Sequence, residues 1–376
     1  PRMHAPYATR RVWRIFTLLA PSLKLNPHTD SYASEYPFSV KPETGPLAKE
    51  DVMRLLRDHY EGSEFDLTQG MAAGPYGDPE RWDGSATSEM TLNDVMQGSF
   101  ERSISLFRTS YSFVSVTRSK YSDLLNPILW FSQYAPSSST YTPFYLAATD
   151  APRPFTRGSL FKYDPSVSFW NFAAAGNWAA RFYKYAMVVV KQTQEDLEAA
   201  FSREVAEMDV AAQKVLDDCA ASSKDCDMAA AEKEVVEMLT KFTHTKGDHT
   251  VESWRNLLPK LITQFHDGYS AENLDGKEIT MHKLFYPKWW LEDVGFFKNG
   301  PSKDPDAIMF APNPSSATPV NSDGELVYTH ASYMSGVVAS ALLASALSVS
   351  IGIVVGRRFM NRDPRNQYTV IDDMLY

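Results

Sequence analysis

Apolar residues recur at spacings of three and four along residues 193–219, which predicts an amphipathic helix with one face against a core. The positions that carry this period are Leu197, Phe201, Val205, Met208, Ala212 and Val215. Similar patterns predict two further helices, over 227–242 and 250–265, with a Lys-Gly-Asp turn at 246–248 between them. Residues 193–265 are therefore expected to form a helical region.

The part of the chain before this region has a mixed pattern. Residues 108–117, 127–134 and 140–148 are rich in aromatic and β-branched side chains and are bounded by Pro and Ser clusters. Such segments are typical of strands. A short helix is predicted over 52–57, where acids precede apolar positions, and a buried helix over the apolar, aromatic segment 167–190.

A long uncharged segment lies near the C-terminus. Ala331 to Gly356 are 26 residues without a charge, whereas about 20 apolar residues span a bilayer. Arginines follow at once, so residues 357–376 are predicted to be a cytoplasmic tail. Five prolines among polar residues predict a stalk over 301–330. Residues 1–300 are then a lumenal or extracellular domain.

The predicted span and tail also indicate partners. Small residues recur every four positions in the span, which favours a homodimer through this helix; they are Gly336, Ser340, Ala344, Ser348, Gly352 and Gly356. In the tail, Tyr368 and Ile371 frame a motif that resembles tyrosine sorting signals, which implies a cytosolic sorting adaptor and an endosomal, lysosomal or cell-surface location. Lipid-facing small residues and a chance motif are the alternatives.

The net charge and the two cysteines further limit the partners and the compartment that the sequence allows. The net charge of −9 leaves no basic surplus for phosphates, so a general nucleic-acid partner is not expected. The chain begins at Pro1, and a long domain ahead of a span requires a signal, so an upstream segment is expected. Cys219 and Cys226 enclose a polar turn; an oxidising compartment favours a disulfide between them, and two free thiols are the alternative.

No complete catalytic motif is present in the sequence. The His-Glu-x-x-His and Cys/His patterns of zinc sites, the Gly-x-Ser-x-Gly elbow and the phosphate-binding loop are missing, so no metal or cofactor is expected. One cluster, residues 58–66, combines titratable and aromatic side chains in a predicted loop. It is either a solvated loop or part of a site.

Several short segments occur in the order in which one enzyme family carries them. The most specific reads Arg-Asp-His-Tyr-Glu-Gly at 57–62. The others are Arg-Arg-Val-Trp-Arg at 10–14, Pro-Phe-Ser-Val-Lys-Pro at 37–42, Arg-Ser-Ile-Ser at 102–105, Pro-Phe-Tyr at 143–145 and Tyr-Pro-Lys-Trp-Trp-Leu at 286–291. Together they resemble the cysteine dipeptidases of the N-terminal-nucleophile hydrolases, to which secernins are related.

This resemblance implies an α+β fold, the C-terminal part of an αββα sandwich, and hydrolysis of dipeptides by a cysteine at the mature N-terminus. Neither Cys219 nor Cys226 matches that nucleophile, which is therefore expected upstream, and this chain alone is expected to be inactive. The resemblance and the residue chemistry give five candidates for the substrate pocket, the last of them for holding a carboxylate: Asp58, His59, Tyr60, Glu61 and Arg102.

Three functions are consistent with these observations. The first is a membrane-anchored dipeptidase of which this chain is a portion. The second is a catalytically inactive relative that serves as a membrane receptor or structural surface protein. The third is an amidase of the same superfamily with another amide substrate. The residue at the nucleophile's position, upstream of Pro1, distinguishes the first two.

Overall fold

A computed structural model of the chain describes residues 8–29, 34–81, 101–222, 226–274, 276 and 278–296. The chain divides into two units, Pro1–Lys298 and Asn299–Tyr376, and all the described residues lie in the first. The predicted stalk, membrane span and tail lie outside the described residues. No helix in the described part is both long and apolar enough to cross a membrane.

The described residues form a mixed α and β fold. The helices are α1 Thr9–Leu19, α2 Lys49–Leu56, α3 Ser168–Ala180, α4 Tyr183–Ala221, α5 Met228–Gln264 and α6 Lys288–Asp293. The strands are β1 Tyr111–Val116, β2 Ile128–Gln133, β3 Thr142–Tyr145, β4 Phe265–His266, β5 Tyr269–Glu272 and β6 Thr280–Lys283. They pair into two small antiparallel sheets, in the orders β1-β2-β3 and β4-β5-β6.

The first sheet consists of the three strands that the sequence predicted. Tyr111 pairs with Gln133 at one end of β1 and β2, and Phe131 pairs with Thr142 across β2 and β3. Strand β3 lies against the long helices. The hydroxyls of Thr142 and Thr250 are 2.9 Å apart, and the backbone N–H of Tyr145 donates to Thr243 Oγ1 at 3.2 Å. These bonds fix the sheet to α5.

The two long helices form a hairpin that supplies much of the core. The apolar stripe predicted on α4 is buried at Leu197, Phe201 and Val205, and it shares one core with Leu239 and Trp254 of α5. Cys219 and Cys226 are bonded to each other across the connection between the helices, which is the pairing expected from the sequence.

The helix boundaries differ from the sequence prediction. The segment 167–190 is not one helix, because α3 ends at Ala180 and a new helix begins at Tyr183. That helix continues without a break to Ala221, since no helix breaker separates its apolar first turns from the amphipathic part. The predicted turn at 246–248 was also wrong, since these residues lie inside α5.

Gly247 is in α5 because of close packing and not because the chain turns there. A Cβ at this position would lie 2.5 Å from Cβ and 2.7 Å from Cγ of Pro152. The proline ring is rigid and follows β3 in a loop held against the helix. A glycine is therefore the residue that lets the loop approach the helix backbone, although glycine weakens a helix by about 1 kcal/mol relative to alanine.

The sequence prediction missed the second sheet. Strands β4 and β5 are joined by Asp267 and Gly268, which have φ of 51° and 78°. Positive φ at both central residues is the type I′ turn favoured in two-residue hairpins, for which Asp-Gly is a preferred sequence.

Because Pro152 packs against Gly247, Gly247→Ala should destabilise the protein by about 1–3 kcal/mol, the usual cost of inserting a methyl group into a packed contact. In an open helix position the same change would add stability. Urea unfolding measures the difference. Pro152→Ala added to Gly247→Ala should restore part of the loss, and a single variant as stable as the parent would contradict the packing argument.

Candidate functional site

The candidate site is built on the turn that follows α2, residues 57–62. Tyr60 and Gly62 have positive φ, 67° and 76°, and their left-handed backbone reverses the chain. The turn is tied down by its own groups: the N–H of Tyr60 donates to Asp58 Oδ1 at 2.8 Å, and the N–H of Leu67 donates to the His59 carbonyl at 3.2 Å. His59 and Tyr60 are 1% and 0% exposed, so the start of this segment is buried, whereas Glu61, Gly62 and Glu64 are exposed.

Arg14 of α1 holds the turn from one side. Its guanidinium contacts Asp58 through three N–H···O distances between 2.7 and 3.0 Å and also donates to the Glu61 carbonyl at 2.7 Å. Both side chains of the pair are 10% exposed. A bidentate arginine–carboxylate pair fixes orientation as well as distance. Asp58 is therefore occupied in holding the turn.

Arg57 holds the same turn from the other side. It forms a bidentate ion pair with Glu198 of α4, at 2.5 and 3.0 Å. The same guanidinium donates to the carbonyls of Pro136 and Ser139, and Gln194 donates to those of Ser137 and Ser139. The carbonyls of the loop at 136–139 thus accept hydrogen bonds from side chains of the site turn and of α4.

His59 is buried between two carboxylates. Its Nδ1 lies 3.2 Å from Glu61 Oε1, and its Nε2 lies 3.8 Å from Glu80 Oε1. Burial alone lowers the pKa of the imidazole, but the two neighbouring carboxylates, Glu61 and Glu80, outweigh it and raise the pKa to about 9. Burial acts against the charge of Glu61 as well, yet the bonds from His59 lower the pKa of Glu61 to about 2.

One nitrogen of the imidazole faces a carboxylate that lies beyond hydrogen-bond distance. His59 Nε2 is buried and makes no hydrogen bond within the described part of the protein. Its ring contacts Tyr183 edge to face, with centroids 6.3 Å apart. Close by, burial raises the pKa of Asp78 to about 6. A buried polar atom without a hydrogen bond requires an explanation, and here the carboxylate of Glu80 at 3.8 Å supplies a compensating charge.

A cavity of about 840 Å³ lies between α2 and α4. Its wall includes the following residues from α2 and the site turn: Glu50, Met53, Arg54, Arg57, Asp58, His59 and Glu61. The opposite wall carries residues of β2, the loop after it and α4: Trp130, Ser137, Tyr183, Lys191, Gln194, Glu195, Glu198, Ala199 and Ser202. The volume is within the range of small-molecule sites, about 300–1,000 Å³.

The structure brings together three of the five predicted pocket residues. Asp58, His59 and Glu61 line the cavity, whereas Tyr60 and Arg102 do not. Tyr60 is directed into the core, and its hydroxyl donates to the Arg102 carbonyl at 2.6 Å. The described ranges contain no group of three or more His, Cys, Asp or Glu side chains arranged to hold a metal ion.

Several residues of the site could not be chosen from the sequence pattern. Glu198 and Gln194 lie on a helix that was predicted from its apolar positions alone. The groups to which they bind are far away in sequence. Glu80 precedes a segment without periodicity. Arg14 is different, since it lies in the Arg-Arg-Val-Trp-Arg segment already singled out. The same segment therefore contained, in the sequence alone, the residue that pairs with Asp58.

Glu198→Gln should reduce the free energy of unfolding by about 3 kcal/mol, because removing one partner of a mostly buried pair leaves the Arg57 charge uncompensated. The side chains of Arg57 and Glu198 are 19% and 12% exposed. The control is Lys214→Met on the same helix, whose pair with Asp218 is about two-thirds exposed and should change stability by less than about 0.5 kcal/mol. Equal losses in the two variants would contradict this role.

His59 should make stability depend on pH. Its folded pKa, about 9, is above the ordinary value of about 6.5, so its contribution is full below pH 6.5 and is lost as pH rises through 9. The contribution is of the order of 3 kcal/mol. Urea unfolding of the parent and of His59→Gln between pH 6 and 9.5 should show a gap that narrows with pH. A gap of constant size would refute the assignment.

Comparison with known proteins gives a match to a peptidase family. Residues 2–196 match the model of Peptidase family C69, and this span contains α1, α2, the site turn and the first sheet. The chain is also 24% identical over 258 residues to a probable dipeptidase of Latilactobacillus sakei, in an alignment that covers 69% of this chain and 45% of that protein. The chain thus spans less than half the length of this relative. The chain belongs to peptidase family C69.

Proposed function

We propose that the chain supplies the substrate pocket of a cysteine-type dipeptidase. One observation carries this proposal: the site turn lines a cavity of about 840 Å³ whose wall falls within the span matched by the peptidase family, apart from Glu198, Ala199 and Ser202. A cavity of this size accommodates a small peptide and not a folded protein. The similarity to a probable dipeptidase favours dipeptides.

The thiol for this reaction has to come from outside the 376 residues. The chain has two cysteines, and they are bonded to each other, so neither offers a thiolate. In the proposed reaction, a cysteine sulfur attacks the peptide carbonyl, the C–N bond breaks, and the amine leaves with a proton. Water then attacks the thioester and releases the acid. An α-amino group, with a pKa near 8, is a suitable base for such a thiol.

The described residues would bind and orient the substrate. The two arginine pairs, Arg14 with Asp58 and Arg57 with Glu198, hold the site turn rigid, which keeps His59 and Glu61 at fixed positions on the cavity wall. Rigid positioning of a substrate lowers the entropic part of the barrier. Glu61 lines the cavity and its side chain is 42% exposed, so it is the acidic group of the turn that a substrate can reach.

The remaining parts of the proposal rest on the sequence. We infer that the fold completes an αββα sandwich in the longer protein, and that residues 331–356 anchor the enzyme in a membrane with the site on the lumenal or extracellular side. Tyr368 and Ile371 would then be available to a sorting adaptor.

The test compares two forms of the protein. The chain as given should bind Ala-Ala but not hydrolyse it. The same chain produced together with the upstream coding sequence should hydrolyse it, and replacement of the first cysteine of the processed protein by alanine should abolish hydrolysis. Ninhydrin detection of free alanine measures the product.

Two results would overturn the proposal. Hydrolysis by the longer protein that survives the cysteine replacement would exclude the thiol mechanism. Absence of dipeptide binding and hydrolysis in both forms, with the fold intact by circular dichroism, would favour the catalytically inactive relative.

A further inference from the structure

The loop at 157–166, between β3 and α3, exposes apolar side chains at its tip. Phe161 is 100% exposed, Leu160 is 69% exposed and Tyr163 is 53% exposed. A single exposed apolar residue is ordinary on a protein surface. Three within four positions of one loop form a projecting apolar surface, and none of them lines the cavity of the candidate site.

Hydrogen bonds hold this tip in one shape. Ser159 and Lys162 pair with each other as a short β-bridge, and Trp170 of α3 donates its indole N–H to the Ser159 carbonyl at 2.8 Å. The N–H of Phe161 donates to Ser159 Oγ at 3.2 Å. The ring of Tyr163 contacts Trp170 edge to face, with centroids 5.8 Å apart. The exposure of Phe161 is thus a property of an ordered turn.

Basic side chains lie beside the tip and below it. Lys162 follows Phe161 directly and is exposed. At the base of the loop, a cavity of about 360 Å³ is lined by Arg153, Arg157 and Arg255. Within the described residues, the hydrogen bonds of these guanidinium groups go to a hydroxyl and to a backbone carbonyl, and not to carboxylates. Their charge is therefore available to an anion.

Acidic side chains offset part of this charge. Asp248 and Glu252 of α5 line the same cavity, and Asp164 lies in the loop, where hydrogen bonds from Ser166 and nearby cations lower its pKa. Four basic groups thus face three acidic ones, in a chain whose net charge is −9. The two acids of α5 lie at the base of the loop, whereas Lys162 is part of the tip. The tip itself is therefore both apolar and positively charged.

A lipid surface fits this tip better than a protein partner does. A standard protein interface buries about 800 Å² per partner, whereas an aromatic side chain contributes about 150–250 Å², so three side chains on a projecting loop fall short. A bilayer accepts one or two apolar side chains at a time. Trp and Tyr rings favour the boundary between lipid and water, where Tyr163 and Trp170 would lie behind the tip. Lys and Arg near the surface are attracted to anionic headgroups.

We propose that the tip at 159–162 inserts Leu160 and Phe161 into the outer part of a bilayer that contains anionic lipid, and that Lys162 and Arg157 contact the anionic headgroups. This surface goes beyond the proposed function, because it shares no residue with the substrate cavity. It belongs to the described domain and does not depend on the span predicted at 331–356. Where that span anchors the chain, the tip is a second contact with the membrane.

Fluorescence quenching by lipids tests the proposal in the full chain. Because Cys219 and Cys226 are bonded to each other, Phe161→Cys provides a single free thiol, which is labelled with the fluorophore bimane without reductant. The chain is reconstituted into vesicles of phosphatidylcholine and phosphatidylserine in equal amounts, in which some lipids carry a nitroxide quencher high on the acyl chain. Quenching at 161 should exceed at least threefold the quenching in the matched control Phe38→Cys, at a position 104% exposed on another loop.

Two further substitutions, each added to Phe161→Cys, should weaken the contact. Leu160→Asp should reduce the quenching at least threefold, because a charge opposes insertion into lipid. Lys162→Glu should reduce it when phosphatidylserine is present, since one basic group changes binding to an anionic surface by about fivefold, and should have little effect with phosphatidylcholine alone. Lys214→Glu makes the same charge change at an exposed position of α4 and should leave the quenching as it was.

Equal quenching at 161 and 38 would overturn the proposal. So would a blue-shifted bimane emission at 161 without quenching by the nitroxide lipids, since the tip would then be buried against protein, either another partner or a second copy of the chain. Quenching at 161 that is unaffected by Lys162→Glu and by removal of phosphatidylserine would overturn the role of anionic lipid.

Discussion

Arg57 and Glu198 are 141 positions apart, and their bidentate ion pair joins the short helix α2 to the long helix α4. The cavity lies between these two helices, so its width depends on this contact. The same guanidinium also satisfies two carbonyls of the loop at 136–139. A charge placed at such a junction is costly to bury, but once paired it enforces one geometry. An apolar contact of the same area would hold the helices together without fixing their register.

The second arginine pair has a complementary role. Arg14 and Asp58 fix the start of the site turn against α1, and the turn can then use the strained left-handed backbone of Tyr60. Such a conformation is uncommon for a bulky residue and persists where surrounding contacts over-determine it. Here the contacts include the bond from the Tyr60 hydroxyl to the Arg102 carbonyl. The strain directs Tyr60 into the core and leaves His59 and Glu61 on the cavity wall.

The local sequence pattern predicted which helices and strands form better than it predicted where they begin and end. The three strands of the first sheet, the helix α2 and the stripe of α4 follow from alternation and period. The turn predicted at Gly247 was wrong, because a glycine read alone indicates flexibility, whereas its cause is Pro152 on another segment. The Asp267-Gly268 hairpin was missed although its dipeptide is a strong local signal.

In the candidate site, the resemblance to the family pointed to the site turn. Glu198 and Glu80 come from other parts of the chain, and such pairings depend on tertiary structure.

The bond between Cys219 and Cys226 closes the connection between α4 and α5. It spans residues 220–225, so a protease that cuts the backbone within this segment produces two chains that stay covalently joined. The wall of the cavity carried by α4 and the core carried by α5 would then remain one molecule after nicking. In a compartment rich in proteases, the cut protein would run as two bands in a reducing gel and as one band without reductant. The two helices would still be associated.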